Sequence, residues 1–159
     1  MARLNPFLTA SPQFNPVQSA YRSAHSTETA LLKVLNDVYE SVDARVPTVI
    51  AALDISAAFD TICHSKLLNR LRDEFGVEGV VLTWIESYLS GRSHFVRIDQ
   101  QSSTTSKLDS GVPQGSVLGP LLFAAYVSPV GDVIQKAGLK HHQYADDTQL
   151  YLSVRSPII

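Results

Sequence analysis

Three carboxylates stand where apolar segments end. Asp54 follows the short run Thr48-Val49-Ile50-Ala51-Ala52-Leu53, and Asp146-Asp147 lie between the strand-like stretches 139–144 and 149–154. Adjacent carboxylates repel and are costly to hold together unless something positive sits between them. Mg²⁺ suits that place, being hard, oxygen-seeking and commonly held by one or two carboxylates plus substrate phosphates. If the strands are neighbours, Asp54 and the Asp146-Asp147 pair can converge on two ions roughly 3.5–4 Å apart, the arrangement that drives in-line phosphoryl transfer. Taken singly, each piece has a plainer reading. Asp-Asp is ordinary turn chemistry, and an Asp after a strand is often a helix N-cap. Gly111-Val112-Pro113-Gln114-Gly115 is a turn, Phe59 a core residue and Cys63 a small buried hydrophobe. The five histidines lack metal-site spacing and read as structural or surface, with His141-His142 the one pair placed to act as a weak surface ligand.

The elements that must position these residues follow from periodicity. Residues 1–16 hold Pro6, Pro12 and Pro16 and read as an irregular lead-in. Ser26 or Thr27 can cap a helix in which Glu28 favours the dipole, and Leu31, Leu35, Val38 and Val42 form its apolar face. Residues 48–53 predict a buried strand. Leu67, Leu68, Leu71 and Phe75 predict a helix ending at Gly76. Val81, Trp84, Ile85 and Tyr88 predict another, stopping at Gly91. Phe95, Ile98 and Leu108 lie in two segments joined by the polar stretch 100–106, a hairpin with a loose loop. Residues 116–127 predict a buried helix with Pro120 in its first turn and Pro129 as its end. A final hairpin carries the acidic turn. This order predicts an α+β fold, a mostly antiparallel sheet with helices packed on one face.

Composition sets limits. With 159 residues, 45% hydrophobic and 18% charged, the chain can bury one modest core. No apolar run approaches the ~20 residues that span a bilayer, and the amino terminus lacks the apolar stretch of a secretory signal. One cysteine excludes an internal disulfide framework and fits a reducing compartment. The net charge of −2 lacks the basic stripe usual in proteins that grip nucleic acid. Either the basic elements lie outside this chain or the chain does not bind nucleic acid by itself. No basic run marks a nuclear signal, so the address stays open between nucleus and cytoplasm.

Combination and order carry more than any single piece. Leu53-Asp54-Ile55-Ser56-Ala57-Ala58-Phe59-Asp60 resembles the strand and turn that bear the first catalytic aspartate of non-LTR (LINE-type) reverse transcriptases. Ser110-Gly111-Val112-Pro113-Gln114-Gly115-Ser116 and the apolar residues to Phe123 resemble that family's substrate-facing turn and helix. Tyr144-Ala145-Asp146-Asp147 resembles its acidic hairpin, and Gln18-Ser19-Ala20-Tyr21-Arg22 with His25-Ser26-Thr27-Glu28 its fingers segment. The four blocks keep the family's order over about residues 15–154.

The resemblance implies the palm of a right-hand polymerase, with residues 1–45 a partial fingers segment and 46–159 the palm. It implies that Asp54 and Asp146 coordinate both catalytic Mg²⁺ ions (Mn²⁺ a substitute), that Asp147 completes the acidic cluster, and that the carbonyl of Ile55 is a further ligand. Phe59 would stack under the deoxyribose and exclude a 2′-hydroxyl. Gln114 and Gly115 would flank the incoming nucleotide and template base, and Arg22 would touch template or nucleotide. Asp60 would serve as a structural hydrogen-bonding residue. The implied partners are an RNA template, a DNA primer and deoxynucleotides, with no membrane. Further fingers sequence, a primer-gripping hairpin, a thumb and an endonuclease would belong to a longer polyprotein. Two other readings stand beside this one: a retroelement remnant or co-opted binding module, and another two-metal phosphoryl-transfer enzyme such as a nuclease or cyclase.

Overall fold

The computed structural model describes residues 3–153, so the part of the final predicted strand at Val154 lies outside the described residues. The chain forms two compact units, one from residues 1–56 and 127–159, the other from residues 57–126.

In the first unit, helix α1 (Leu4–Thr9) replaces the expected irregular lead-in, with Pro6 in its first turn, where a missing N–H costs nothing. Helix α2 (Thr27–Asp43) starts as the sequence predicts. Ser26 Oγ accepts from the Thr29 amide, and Thr29 Oγ1 accepts from the Ser26 amide, a reciprocal cap. Its orientation differs from expectation. Ala30, Asp37 and Ser41 are buried, while Leu31, Leu35 and Val42 are exposed. The reason is polar: the Asp37 carboxylate accepts from the Tyr151 hydroxyl at 2.6 Å and from Lys33 Nζ at 2.9 Å, and Ser41 bonds Ser153 at 2.7 Å.

Strand β1 (Thr48–Leu53) has the predicted bounds but is not buried. It is an edge strand, exposed along nearly its whole length. An apolar run cannot tell whether a second neighbour covers it, and among the described residues β1 has one.

In the second unit, α3 (His64–Asp73) and α4 (Gly79–Leu89) pair through fully buried Leu67, Leu71, Ile85 and Leu89. Burial of each such side chain contributes ~1.5–3 kcal/mol. The predicted hairpin forms with a tighter turn than expected. Strands β2 (Ser93–His94) and β5 (Ser106–Lys107) pair outside β3 (Arg97–Ile98) and β4 (Gln101–Ser102). The polar stretch 100–106 thus enters the ladders, and the reversal falls at Asp99, with φ +52°.

Helix α5 (Gly119–Lys136) begins in the second unit and ends in the first. Pro120 lies in its first turn as predicted, but Pro129 does not end it. An internal proline costs ~3 kcal/mol, and the burial of Val127 and Ile134 on either side offsets it.

Strands β6 (Lys140–Tyr144) and β7 (Asp147–Ser153) close the fold. The sheet order is β1-β7-β6, antiparallel throughout. The α+β expectation therefore holds, but the helices do not share one face. Tyr151, which pairs with Lys140, reaches Asp37 of α2, whereas His141, on the alternate side of β6, lies against Gly131 of α5. The two helices flank β6 from opposite sides.

Candidate active site

Register builds the acidic end of the sheet. Leu53 pairs with Thr148, and Tyr144 with Asp147. One residue beyond the β1–β7 ladder, Asp54 stands at the level of Asp147, next to the turn Ala145-Asp146. Side chains opposite each other in antiparallel strands share a face, which sets Asp147 and Tyr144 on one side. Asp54 and Asp147 are exposed and Asp146 is half-buried. Ile55 follows Asp54, half-buried.

The turn is unusual for its residue. Ala145 has φ +57°, a region that favours glycine. It is gripped by Gln18, whose Nε2 donates to the Ala145 carbonyl at 3.0 Å and whose Oε1 accepts from the Ala145 amide at 2.9 Å. Near the turn, burial pushes the Tyr21 phenol up, and the charge of Asp146 and the neighbouring Tyr144 push it further.

Carboxylate oxygens are the donors a hard divalent cation prefers. Asp54, Asp146 and Asp147 offer donors of that type near one end of the sheet. Their side chains are not gathered: among the described residues no three His, Cys, Asp or Glu side chains form a cluster able to hold a metal.

Beside Asp147 a cleft of about 290 Å³ runs between Thr27, Leu31 and Val34 of α2 and His142, Tyr144 and Gln149 of the sheet. His142 is 3% exposed and neither ring nitrogen has a hydrogen-bond partner. Burial holds its pKa below the ordinary value. His141, Lys33 and His25 add to this and Asp37 opposes it. Both histidines of the pair are buried, which removes the surface-ligand reading.

Arg22 is tied into the lead-in. Its Nη1 donates to the carbonyls of Pro16 at 2.9 Å and Gln18 at 3.3 Å, and its guanidinium lies 5.8 Å from the centre of the Phe14 ring.

The remaining expected site residues lie in the second unit. Phe59 stacks on Phe123 with ring centroids 4.8 Å apart. The segment after it is laced to the glycine turn. Val112 donates to the Phe59 carbonyl and Gly111 to the Ile62 carbonyl, each at 2.8 Å. Ser110 Oγ donates to the Asp60 carbonyl at 3.0 Å. Gln114 Nε2 bonds both carboxylate oxygens of Asp60, at 3.3 and 3.2 Å. Asp60 is thus the structural hydrogen-bonding residue expected of it. Gly111, at φ +84°, approaches so closely that a Cβ would lie 2.9 Å from Asp60 Cα. Gly115 has φ +76° and open space around it. Asp60, His64, Arg92, His94 and Gln114 help line a cleft of about 450 Å³ here.

The expected residues therefore fall into two sets. Arg22, Asp54, Ile55, Asp146 and Asp147 belong to the first unit, and Phe59, Gln114 and Gly115 to the second. Reasoning from sequence named Gln18 and Tyr21 only as part of the Gln18–Arg22 block, with no role of their own, and read His142 as a structural or surface residue, where the structure buries it. The readable signal for Gln18 was a turn that needs positive φ yet holds alanine.

Comparison with known proteins bears on the whole chain. Residues 1–158 match the family model described as reverse transcriptase (RNA-dependent DNA polymerase). The chain is 33% identical over 153 residues to the RNA-directed DNA polymerase from mobile element jockey of Drosophila melanogaster, covering 92% of this chain and 16% of that protein. It is 35% identical over 109 residues to the probable RNA-directed DNA polymerase from transposon X-element of the same species, covering 69% of this chain and 12% of that one. The chain thus spans about a sixth or less of the length of these relatives. Among solved structures it resembles a chain of a partial Cas6-RT-Cas1–Cas2 complex, at 24% identity and a TM-score of 0.40 over 86% of this chain and 22% of that one. By the family match and these relatives, the chain belongs to the reverse transcriptase (RNA-dependent DNA polymerase) family, of the kind carried by non-LTR retrotransposons.

Proposed function

We propose that the chain carries the nucleotide-adding centre of an RNA-directed DNA polymerase that uses two divalent metal ions. The observation that carries this reading is the register that brings Asp54 to the acidic hairpin turn at one end of the sheet. In this reading residues 1–45 belong to the fingers and 46–159 to the palm. Asp54 and Asp146 hold both ions, Asp147 completes the acidic cluster and the Ile55 carbonyl adds a ligand. Bound Mg²⁺, or Mn²⁺ in its place, supplies charge at the attacking and leaving oxygens of an in-line displacement. A primer 3′-hydroxyl attacks the α-phosphate of a deoxynucleotide, and pyrophosphate leaves.

The chain's own residues position the reactants. Phe59, backed by Phe123, offers an aromatic surface to the sugar and leaves no room for a 2′-hydroxyl. Gln114, held by Asp60, and Gly115 flank the nucleotide and template base. Arg22 has Nη1 committed to backbone carbonyls, and its other donors serve a phosphate. The substrates are an RNA template, a DNA primer and deoxynucleotides.

The test is primer extension on an RNA template with Mg²⁺ and deoxynucleotides, comparing the chain with Asp146→Asn. Extension is expected to fall on the order of a hundredfold or more, with an unchanged circular dichroism spectrum. Equal extension by both removes Asp146 from the mechanism. No extension by either leaves the family membership standing and makes this chain a catalytically incomplete piece of the polymerase.

A further inference from the structure

We propose that Gln18 is a positioning residue for the acidic turn: its side-chain amide clamps the backbone N–H and C=O of Ala145 and so fixes where Asp146 points. The purpose of the clamp rests on the polymerase reading above; its existence does not.

The geometry is that of a strand pair made by a side chain. One side-chain amide gives a hydrogen bond to the C=O and takes one from the N–H of a single residue, at 3.0 and 2.9 Å, and so holds the two peptide units that flank Ala145. Only asparagine and glutamine side chains carry a donor and an acceptor in that arrangement. Gln18 Oε1 also accepts from the Ala20 amide at 3.0 Å, so the side chain is held from its own segment. That segment is docked along β6. Ser19 donates to the Gln143 carbonyl at 2.9 Å, and Gln143 donates to the Val17 carbonyl at 3.0 Å. Gln18 is fully buried, and losing these partners would leave its amide unsatisfied.

The turn needs the clamp because of what it lacks. A two-residue hairpin turn with positive φ at its first position ordinarily has glycine there. Here the residue is Ala145 at φ +57°, with Asp146 next. A left-handed alanine persists only where its surroundings over-determine it, and Gln18 supplies that constraint on both sides of the Ala145 Cα. Without it the turn relaxes and the Asp146 carboxylate moves with it.

The experiment uses the full 159-residue chain and reads amide hydrogen exchange by NMR, with Mn²⁺ as the metal probe through line broadening at Asp146 and Asp147. Gln18→Ala is expected to speed exchange of the Ala145 amide on the order of 30-fold, leave the α3 amides unchanged, and weaken Mn²⁺ broadening. Gln18→Glu keeps the acceptor and loses the donor, so it falls between. Ala145→Gly in the Gln18→Ala background is expected to regain Mn²⁺ broadening, because glycine adopts the turn unaided. A purely structural role for Gln18 would not give that rescue. Unchanged exchange at Ala145, faster exchange throughout the chain, or no rescue by glycine overturns the proposal. If the unaltered chain protects Ala145 yet shows no Mn²⁺ broadening, the polymerase reading falls and the clamp stands.

Discussion

Substituting Gly111 isolates what a close backbone approach is worth. Two costs act together in Gly111→Ala. The backbone at φ +84° disfavours any L side chain, which costs ~1–2 kcal/mol. The new Cβ would also stand 2.9 Å from both Cα and the carbonyl oxygen of Asp60 and 3.0 Å from the Phe59 carbonyl oxygen. These are backbone atoms, fixed by the 2.8 Å bonds Val112–Phe59 and Gly111–Ile62, so they cannot step aside as a flexible side chain would. Overpacking of that kind costs a further ~1–3 kcal/mol. Gly76 is the control, in the same unit, at φ +66° with nothing within 4 Å of its would-be Cβ. Gly76→Ala should therefore carry the conformational cost alone. The assay is urea unfolding of both variants, with stability read from the midpoint at constant m. Gly111→Ala is expected to be the less stable by ~1–3 kcal/mol. If the two variants cost the same, the close approach to Phe59 and Asp60 contributes nothing and the lacing of that loop has been overvalued.

The remaining predictions concern a buried imidazole and an aromatic ring. His142 has a folded pKa below its ordinary value, which is about 6.5. The unfolded chain therefore binds more protons as pH falls through that value, so stability is full above about pH 6.5 and declines below it. His142→Leu removes two unpartnered buried nitrogens and should raise stability at pH 6 by about 1 kcal/mol and flatten the acid slope in urea titrations; a less stable variant, or an unchanged slope, refutes this. Phe59→Val should raise ribonucleotide insertion about tenfold relative to deoxynucleotide in primer extension, and unchanged sugar selectivity would remove Phe59 as the steric gate.

Much of the fold was legible because local signals agreed with the global outcome. The Ser26 cap, the span of β1, the glycine stops at Gly76 and Gly91 and the acidic hairpin all appear where periodicity and turn chemistry put them. The failures share a cause. Burial depends on neighbours, and neighbours are not written in a local window. The stripe Leu31, Leu35 and Val42 reads as a core face, yet Asp37 turns inward because Tyr151, Lys33 and Lys140 meet it there. The pattern of β1 is that of an interior strand, yet it forms an edge.

The site divides along the same line. Residue type made Asp54, Asp146 and Asp147 visible, and the antiparallel register, which pairs Leu53 with Thr148, brings their segments to one end of the sheet without gathering the three side chains. Glutamine announces no chemistry, and the hydrogen bonds of Gln18 exist only once residues 127 apart in sequence meet. What the sequence did contain was a mismatch: Tyr144-Ala145-Asp146-Asp147 asks an alanine to do a glycine's work at the head of a two-residue turn. A local choice that contradicts the backbone it must adopt implies a compensating contact elsewhere in the fold. That contact comes from just beyond the proline-bearing lead-in of residues 1–16, where the fully buried Gln18 is the compensation.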